Sequence, residues 1–175
     1  AGDLEINFLY EGKLLGTGGT LLEVCQRDFK LPQLMLNAKV FGDFNLRQML
    51  DSTTGSLMLH PKTDSANFGG LYFKPNLQIA GLATKGQVIG GDHQCAVYTG
   101  ICSPHQLWVD KLHQARKKHP NDLLCMIRHG LLPAIAQDPT HASAVLHRGD
   151  WCEISTPQRI TEAAKWLQST ASHAN

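Results

Sequence analysis

The segment Gly90 to Pro120, GGDHQCAVYTGICSPHQLWVDKLHQARKKHP, constrains the fold more than any other, because it asks for a strand delivered directly into an amphipathic helix. Cys95 to Cys102 is a short apolar run, rich in β-branched and aromatic residues and bounded by Gly91 and Pro104, which is the pattern of a strand packed on a core. Ser103 is placed to cap the helix that follows, and Pro104 suits its first position. Lys117, Lys118 and the His119-Pro120 break close the far end. The function then depends on whether the apolar face of this helix looks inward or toward a partner.

The rest of the chain is read around that unit. Leu4, Ile6 and Phe8 alternate with Glu5 and Asn7 and predict a half-buried strand. Glu11-Gly12 and Gly18-Gly19 punctuate Lys13–Thr17 and Thr20–Cys25, so the opening reads as an antiparallel hairpin or meander. Leu31 to Phe41 reads as short strand pieces and loop. Leu46, Met49 and Leu50 fit a short helix after Asp43. Asp51 to Gly70, rich in Ser, Thr, Asp, Asn and Gly, is expected to be a mobile loop. Leu71–Phe73 restores order, and Leu77–Ile79 and Gly86–Ile89 bracket a reversal. Asp122 to Arg128 reads as a buried strand, and Pro133 to Pro139 as loop. Ala144–His147 and Trp151–Ile154 are the last strands. A final helix begins at Thr156-Pro157, with Ile160, Ala163, Ala164 and Leu167 at i, i+3, i+4 and i+7. Many short strands with two or three helices predict an α+β fold, mainly β: an antiparallel β-sandwich flanked by helices.

At 175 residues one domain is expected. A net charge of +1 with 18% charged residues gives no electrostatic case for nucleic-acid binding. Five cysteines without paired spacing point to a reducing compartment rather than a disulfide framework. The start has no signal-type segment and the chain no membrane-spanning run, so cytosol or nucleus is expected, and the abrupt opening suggests a domain of a longer protein.

Chemistry-bearing clusters are few. His93, Cys95, Cys102 and His105 are possible zinc ligands, but Cys95 and Cys102 fall on opposite faces of one strand and no second Cys pair completes a tetrahedron. Cys125 with His129, or Cys25 with any of nine histidines, could supply a nucleophile and base, which only spatial evidence can establish. Gly16-Thr-Gly-Gly19 lacks the Lys-Ser/Thr ending of a phosphate loop, and no helix is expected after it. Trp151 reads as core. Trp108 and Trp166 lie on the two amphipathic helices, Trp166 off its apolar stripe, and suggest a contact surface.

The order of these pieces resembles the association domain of interferon regulatory factors, which is similar in fold to the Smad MH2 domain. The residues that carry the resemblance are Leu4–Lys13, Gln94–Tyr98, Leu107–Lys118, Asp122–Arg128, and Cys152–Pro157 followed by Arg159–Leu167. His129–Pro133 departs from the acidic and aromatic residues usual there, which looks most like the viral homologues of gammaherpesviruses. The resemblance implies a Smad/FHA-like sandwich over residues 1–168 with a flexible tail at 169–175. It implies a protein association domain of a transcription regulator, not an enzyme, with no cofactor and no metal, acting as a viral antagonist of interferon signalling. The implied partners are a CREB-binding-protein-type coactivator, cellular interferon regulatory factors and a second copy of the chain, with no direct nucleic acid and no membrane. The implied location is the nucleus and cytoplasm, of the host cell if viral. The binding face would comprise Leu107, Trp108, Leu112, Ile160, Ala163, Ala164 and Leu167, an open groove for a partner's amphipathic segment. The alternative from the residues alone is a β-rich intracellular enzyme with a Cys/His active site.

Overall fold

The computed structural model describes residues 6–28, 30–50, 54–61, 70–87 and 90–171. Its centre is β6 (Gln94–Ser103), the long apolar strand expected from the sequence. It pairs antiparallel with β1 (Met35–Leu36), β3 (Gly55–His60) and β4 (Gly70–Phe73). β5 (Ile79–Ala83) extends the sheet beyond β4, and β7 (Ala142–Leu146) lies on the other side of β3. The pairing of β7 with β3 is parallel, from Gly55↔Ala142 to Leu59↔Leu146. A separate two-stranded ribbon joins β2 (Val40–Gly42) to β8 (Trp151–Glu153) in antiparallel register.

A parallel pair needs a long crossover, since two strands running the same way cannot be joined by a tight turn. The chain supplies it with helical segments after β6. They are α3 (Gln106–Lys118), a π-helical turn (Met126–Leu131), α4 (Leu132–Gln137) and a short 3-10 turn (Pro139–His141). The helices α1 (Thr17–Asp28), α2 (Arg47–Leu50) and α5 (Pro157–Ala171) complete the fold. On one face of the sheet Leu57, Leu59, Leu71, Phe73 and Ile79 pack with Leu21 and Leu22 of α1, Trp108 and Leu112 of α3, and Leu131 and Ile135. Met58 and Ile101 point the other way and pack against Met49 of α2. Because both faces are covered, β3 is buried from Gly55 to Leu59 without the alternation of a half-exposed strand.

This is a mixed sheet with helices and not the expected antiparallel sandwich. Among the described residues no second large sheet faces the first; the other pairings are the β2–β8 ribbon and an isolated bridge between Gln78 and Ser143. The expected opening hairpin is absent as well. Residues 6 to 10 form no strand, with Phe8 93% exposed, and residues 17 to 25 lie within α1. The glycines that suggested a turn serve close packing: a Cβ on Gly18 would stand 2.5 Å from Leu112 Cδ2, and one on Gly16 would stand 2.6 Å from the Leu124 carbonyl oxygen. Leu4 and Glu5 lie outside the described residues.

Other departures have similar causes. Gly55–His60, expected within a mobile loop, is the most enclosed strand of the sheet, and residues 51–53 and 62–69 of that loop lie outside the described residues. Asp122 to Arg128 is not a strand; Leu124 is buried beneath α1 and the π-helical turn starts at Met126. Pro133 falls in the first turn of α4, directly after the π-helical turn. α3 begins at Gln106 rather than after Ser103, capped by His105, whose Nδ1 accepts from the Leu107 amide at 3.1 Å. The expected strands at 71–73, 95–102, 144–146 and 151–153 and the helices near 47–50, 107–118 and 157–167 are present. α5 runs on to Ala171, three residues into the expected tail.

Candidate ligand-binding cleft

A cleft of about 350 Å³ opens where β6, the β2–β8 ribbon and the π-helical turn meet. Its chemistry comes from Asn37, Lys39, Tyr98, Arg128, Trp151 and Glu153. Each is delivered by a local feature of the sequence. Gly100 adopts φ +92°, and a Cβ there would stand 2.9 Å from Asn37 Cβ and 3.1 Å from Val40 Cγ1. Only glycine lets the 37–40 turn lie this close to β6. Asn37 donates its amide to the Gly100 carbonyl at 2.9 Å, and its side-chain Oδ1 accepts from the Lys39 amide at 3.3 Å. The turn closes with Val40 N–H to the Asn37 carbonyl and projects Lys39 into the cleft.

The β2–β8 ribbon brings Glu153 to Lys39. The Ile154 amide donates to the Lys39 carbonyl at 2.8 Å, and Lys39 Nζ lies 2.5 Å from Glu153 Oε1. Arg159, in the first turn of α5, places Nη1 2.8 Å from the other carboxylate oxygen. The hydrogen bond from Lys39, its charge and that of Arg159 hold the Glu153 carboxyl below the usual range, against the opposing effect of burial. The site therefore carries a fixed carboxylate between two cations. The Lys39 side chain is itself half-exposed, and its ammonium has three donors, so it can serve Glu153 and a ligand at once.

Arg128 reaches the cleft from the π-helical turn, a distortion often found at functional sites. The turn is held by His129, whose Nδ1 accepts from the Cys125 amide at 2.8 Å, and by Thr17 Oγ1, which accepts from the Met126 amide at 3.1 Å. Arg128 is exposed and forms no ion pair with the described residues. Two rings complete the walls. Trp151 donates Nε1 to the Thr99 carbonyl at 3.3 Å, and burial pushes the Tyr98 phenol well above its ordinary range, so it remains a neutral hydroxyl. Two cations, one carboxylate and two aromatic faces suit a polar ring bearing a phosphate. A second cavity of about 290 Å³ shares Asn37, Tyr98 and Gly100 with the cleft and reaches Thr17 and Thr20 of α1.

The residues singled out from the sequence lie elsewhere. Trp108 and Leu112 are fully buried and Ala163 nearly so, Leu107 is partly buried, and Ile160, Ala164 and Leu167 are exposed. α3 packs against α1, α4 and the π-helical turn, whereas α5 packs on β8. The seven do not form one open face, because the apolar side of α3 is spent on the core. Trp166 is half-covered: its ring meets Phe41 edge-on at 5.1 Å, and Nε1 donates to Asp150 Oδ2 at 2.5 Å. Trp151, expected in the core, is instead a wall of the cleft.

The Cys/His chemistry is not assembled as a nucleophile and base at this cleft. His129 spends its Nδ1 on the backbone of Cys125, not on the thiol. Cys102 is buried with its thiol 3.4 Å from Met126 Sδ, and burial pushes its pKa up to about 11. His93 meets Tyr72 edge-on, and His105 caps α3 and stacks on His141 at 4.4 Å.

The architecture is similar to that of several solved structures. HddC from Yersinia pseudotuberculosis complexed with GMP-PN superposes with a TM-score of 0.67 at 14% identity, over 92% of this chain and 66% of that one. A putative glucose-1-phosphate thymidylyltransferase from Bacillus anthracis in complex with a sucrose gives 0.63 at 12% identity, over 87% and 61%. The chain thus spans just under two thirds of the length of these solved chains. No protein-family model and no curated protein matches the sequence. These likenesses replace the interferon-regulatory-factor, Smad MH2-like reading, and the viral transcription-regulator function and non-enzymatic character inferred from it fall with it. The two folds share short strands and a strand leading into a helix, and the match of element order followed from those common parts.

Proposed function

We propose that this chain forms the sugar-phosphate-binding part of a nucleotidyltransferase-like enzyme, with the phosphorylated sugar held in the cleft of Lys39, Arg128, Tyr98, Trp151 and Glu153. The observation that carries the reading is the pairing of two cationic side chains with two aromatic walls and one carboxylate in a single cleft of about 350 Å³. Lys39 and Arg128 match phosphate oxygens, Arg128 with the fork geometry that favours bidentate contacts. Trp151 and Tyr98 offer ring faces to a sugar, and the Asn37 side-chain amide can donate to a hydroxyl group. The adjoining cavity at Thr17, Thr20 and Asn37 has room for part of a nucleotide.

The corresponding reaction class is attack of a sugar-phosphate oxygen on the α-phosphorus of a nucleoside triphosphate, with the bond to the departing pyrophosphate breaking and pyrophosphate leaving. A divalent cation arriving with the triphosphate counts as part of that substrate. One structural neighbour is complexed with GMP-PN and the other is a putative glucose-1-phosphate thymidylyltransferase, which supports this substrate class.

The test is calorimetric titration with glucose 1-phosphate against glucose and inorganic phosphate. Binding of the sugar phosphate is expected, and Arg128→Ala is expected to weaken it about tenfold or more, the worth of one charge-assisted contact. Equal affinity of wild type and Arg128→Ala would overturn this cleft as the site. Sugar-phosphate binding without pyrophosphate release from any nucleoside triphosphate would make the chain a binding module and not a transferase.

A further inference from the structure

Transfer of nucleotidyl and phosphoryl groups is ordinarily assisted by Mg²⁺, held through one or two protein carboxylates together with the substrate's phosphates. The donor set of this cleft does not fit such an ion. Among the described residues Glu153 is the only carboxylate on its walls. Both of its oxygens are taken, one by the Lys39 ammonium at 2.5 Å and the other by the Arg159 guanidinium at 2.8 Å. Among the described residues no group of three or more His, Cys, Asp or Glu side chains is arranged to hold a metal. An incoming dication would have to displace a bound ammonium while facing Arg159 and Arg128.

We infer that this cleft excludes a resident divalent cation and that the Lys39 ammonium, fixed by Glu153 beside Arg128, supplies in its place the positive charge that faces a phosphate. The inference rests on the reading of the cleft as a sugar-phosphate site, and it narrows that reading to metal-independent binding. Geometry favours it over a purely structural salt bridge. A bridge that only joined β2 to β8 needs no opening to solvent, yet Lys39 is half-exposed on the cleft wall and the backbone bond from Ile154 to Lys39 already joins the strands. Arg159 would hold the carboxylate in place without Lys39.

Two measurements on the full chain test it. The first is Mn²⁺ binding followed by electron paramagnetic resonance. Wild type is expected to leave Mn²⁺ free at the cleft, whereas Lys39→Asp, which puts a second carboxylate beside Glu153, is expected to gain a Mn²⁺ site that Lys39→Met lacks. Mn²⁺ bound by wild type and lost in Glu153→Gln would overturn the exclusion. Mn²⁺ held equally by both sits elsewhere and leaves the exclusion standing. If Lys39→Asp fails to fold by circular dichroism, the comparison of wild type with Glu153→Gln still decides the point.

The second is the affinity for glucose 1-phosphate in EDTA and in Mg²⁺. It is expected to agree within about twofold in the two conditions, and to fall about tenfold or more in Lys39→Met, the scale of one lost charged hydrogen bond. A structural bridge would lower stability in Lys39→Met without changing this affinity, and that result would overturn the assignment to Lys39. Binding abolished by EDTA would overturn metal independence. Failure of the sugar phosphate to bind in either condition, with no Mn²⁺ held at Glu153, overturns the sugar-phosphate reading and leaves the exclusion of the metal in place.

Discussion

His105 shows how a single residue couples local geometry to solution conditions. Its Nδ1 accepts from the Leu107 amide at the start of α3, a role open only to the uncharged ring nitrogen. Burial lowers its pKa, the stacked His141 lowers it further, and Asp110 and Asp138 pull the other way. A histidine whose pKa is lower in the folded than in the unfolded chain contributes stability above the ordinary value of about 6.5 and loses it as pH falls through the folded value. His105→Asn keeps an acceptor at the cap and removes the titration. The melting temperature of His105→Asn is therefore expected to rise relative to wild type as pH falls from about 7 to about 5, and a constant difference across that range would refute the cap's pH sensitivity. The sequence pointed to a cap at this junction but chose Ser103. Pro104 does not open the helix: it precedes His105 and lies buried before the first turn.

At the scale of elements, the turn at 37–40 and the ribbon of β2 with β8 decide whether a site exists. Both depend on Gly100, whose positive φ and missing Cβ admit Asn37 and Val40. Gly100→Ala is expected to cost about 1–3 kcal/mol in urea denaturation, through backbone strain and overpacking, and to weaken sugar-phosphate binding at temperatures where the chain remains folded. Loss of stability with unchanged affinity would show that the turn can shift without moving Lys39. Several elements were legible from sequence because their signals are local: the apolar, β-branched and aromatic run of β6, the apolar period of α3 and of α5, and the short strands at 71–73 and 151–153. α1 was misread because Gly18 and Gly19 look like punctuation, whereas Gly18 lies against Leu112 on a helix from a distant part of the chain. The π-helical turn was misread because the apolar run Leu123 to Ile127 is too short to separate strand from helix by period.

For the whole molecule, the parallel contact of β3 with β7 is the feature that turns short strands and helices into a mixed α/β layer. Leu57 and Leu59 sit at its centre with no exposure, while Phe8 is 93% exposed. Leu57→Ala is expected to cost about 2–5 kcal/mol, and Phe8→Ser less than about 0.5 kcal/mol, in the same denaturation experiment. Comparable losses from both would mean that residues 6 to 10 pack on the core after all. The sequence by itself determined the central strand and its helix, the closing helix, most short strands and the absence of a paired cysteine framework, because each follows from neighbours within a few residues. Only the tertiary structure decided the layer architecture, the burial of Trp108 and Leu112, and the meeting of Lys39, Arg128 and Glu153. Those depend on which distant strands pair and in which direction, and a one-dimensional pattern of apolar and polar residues does not encode that choice.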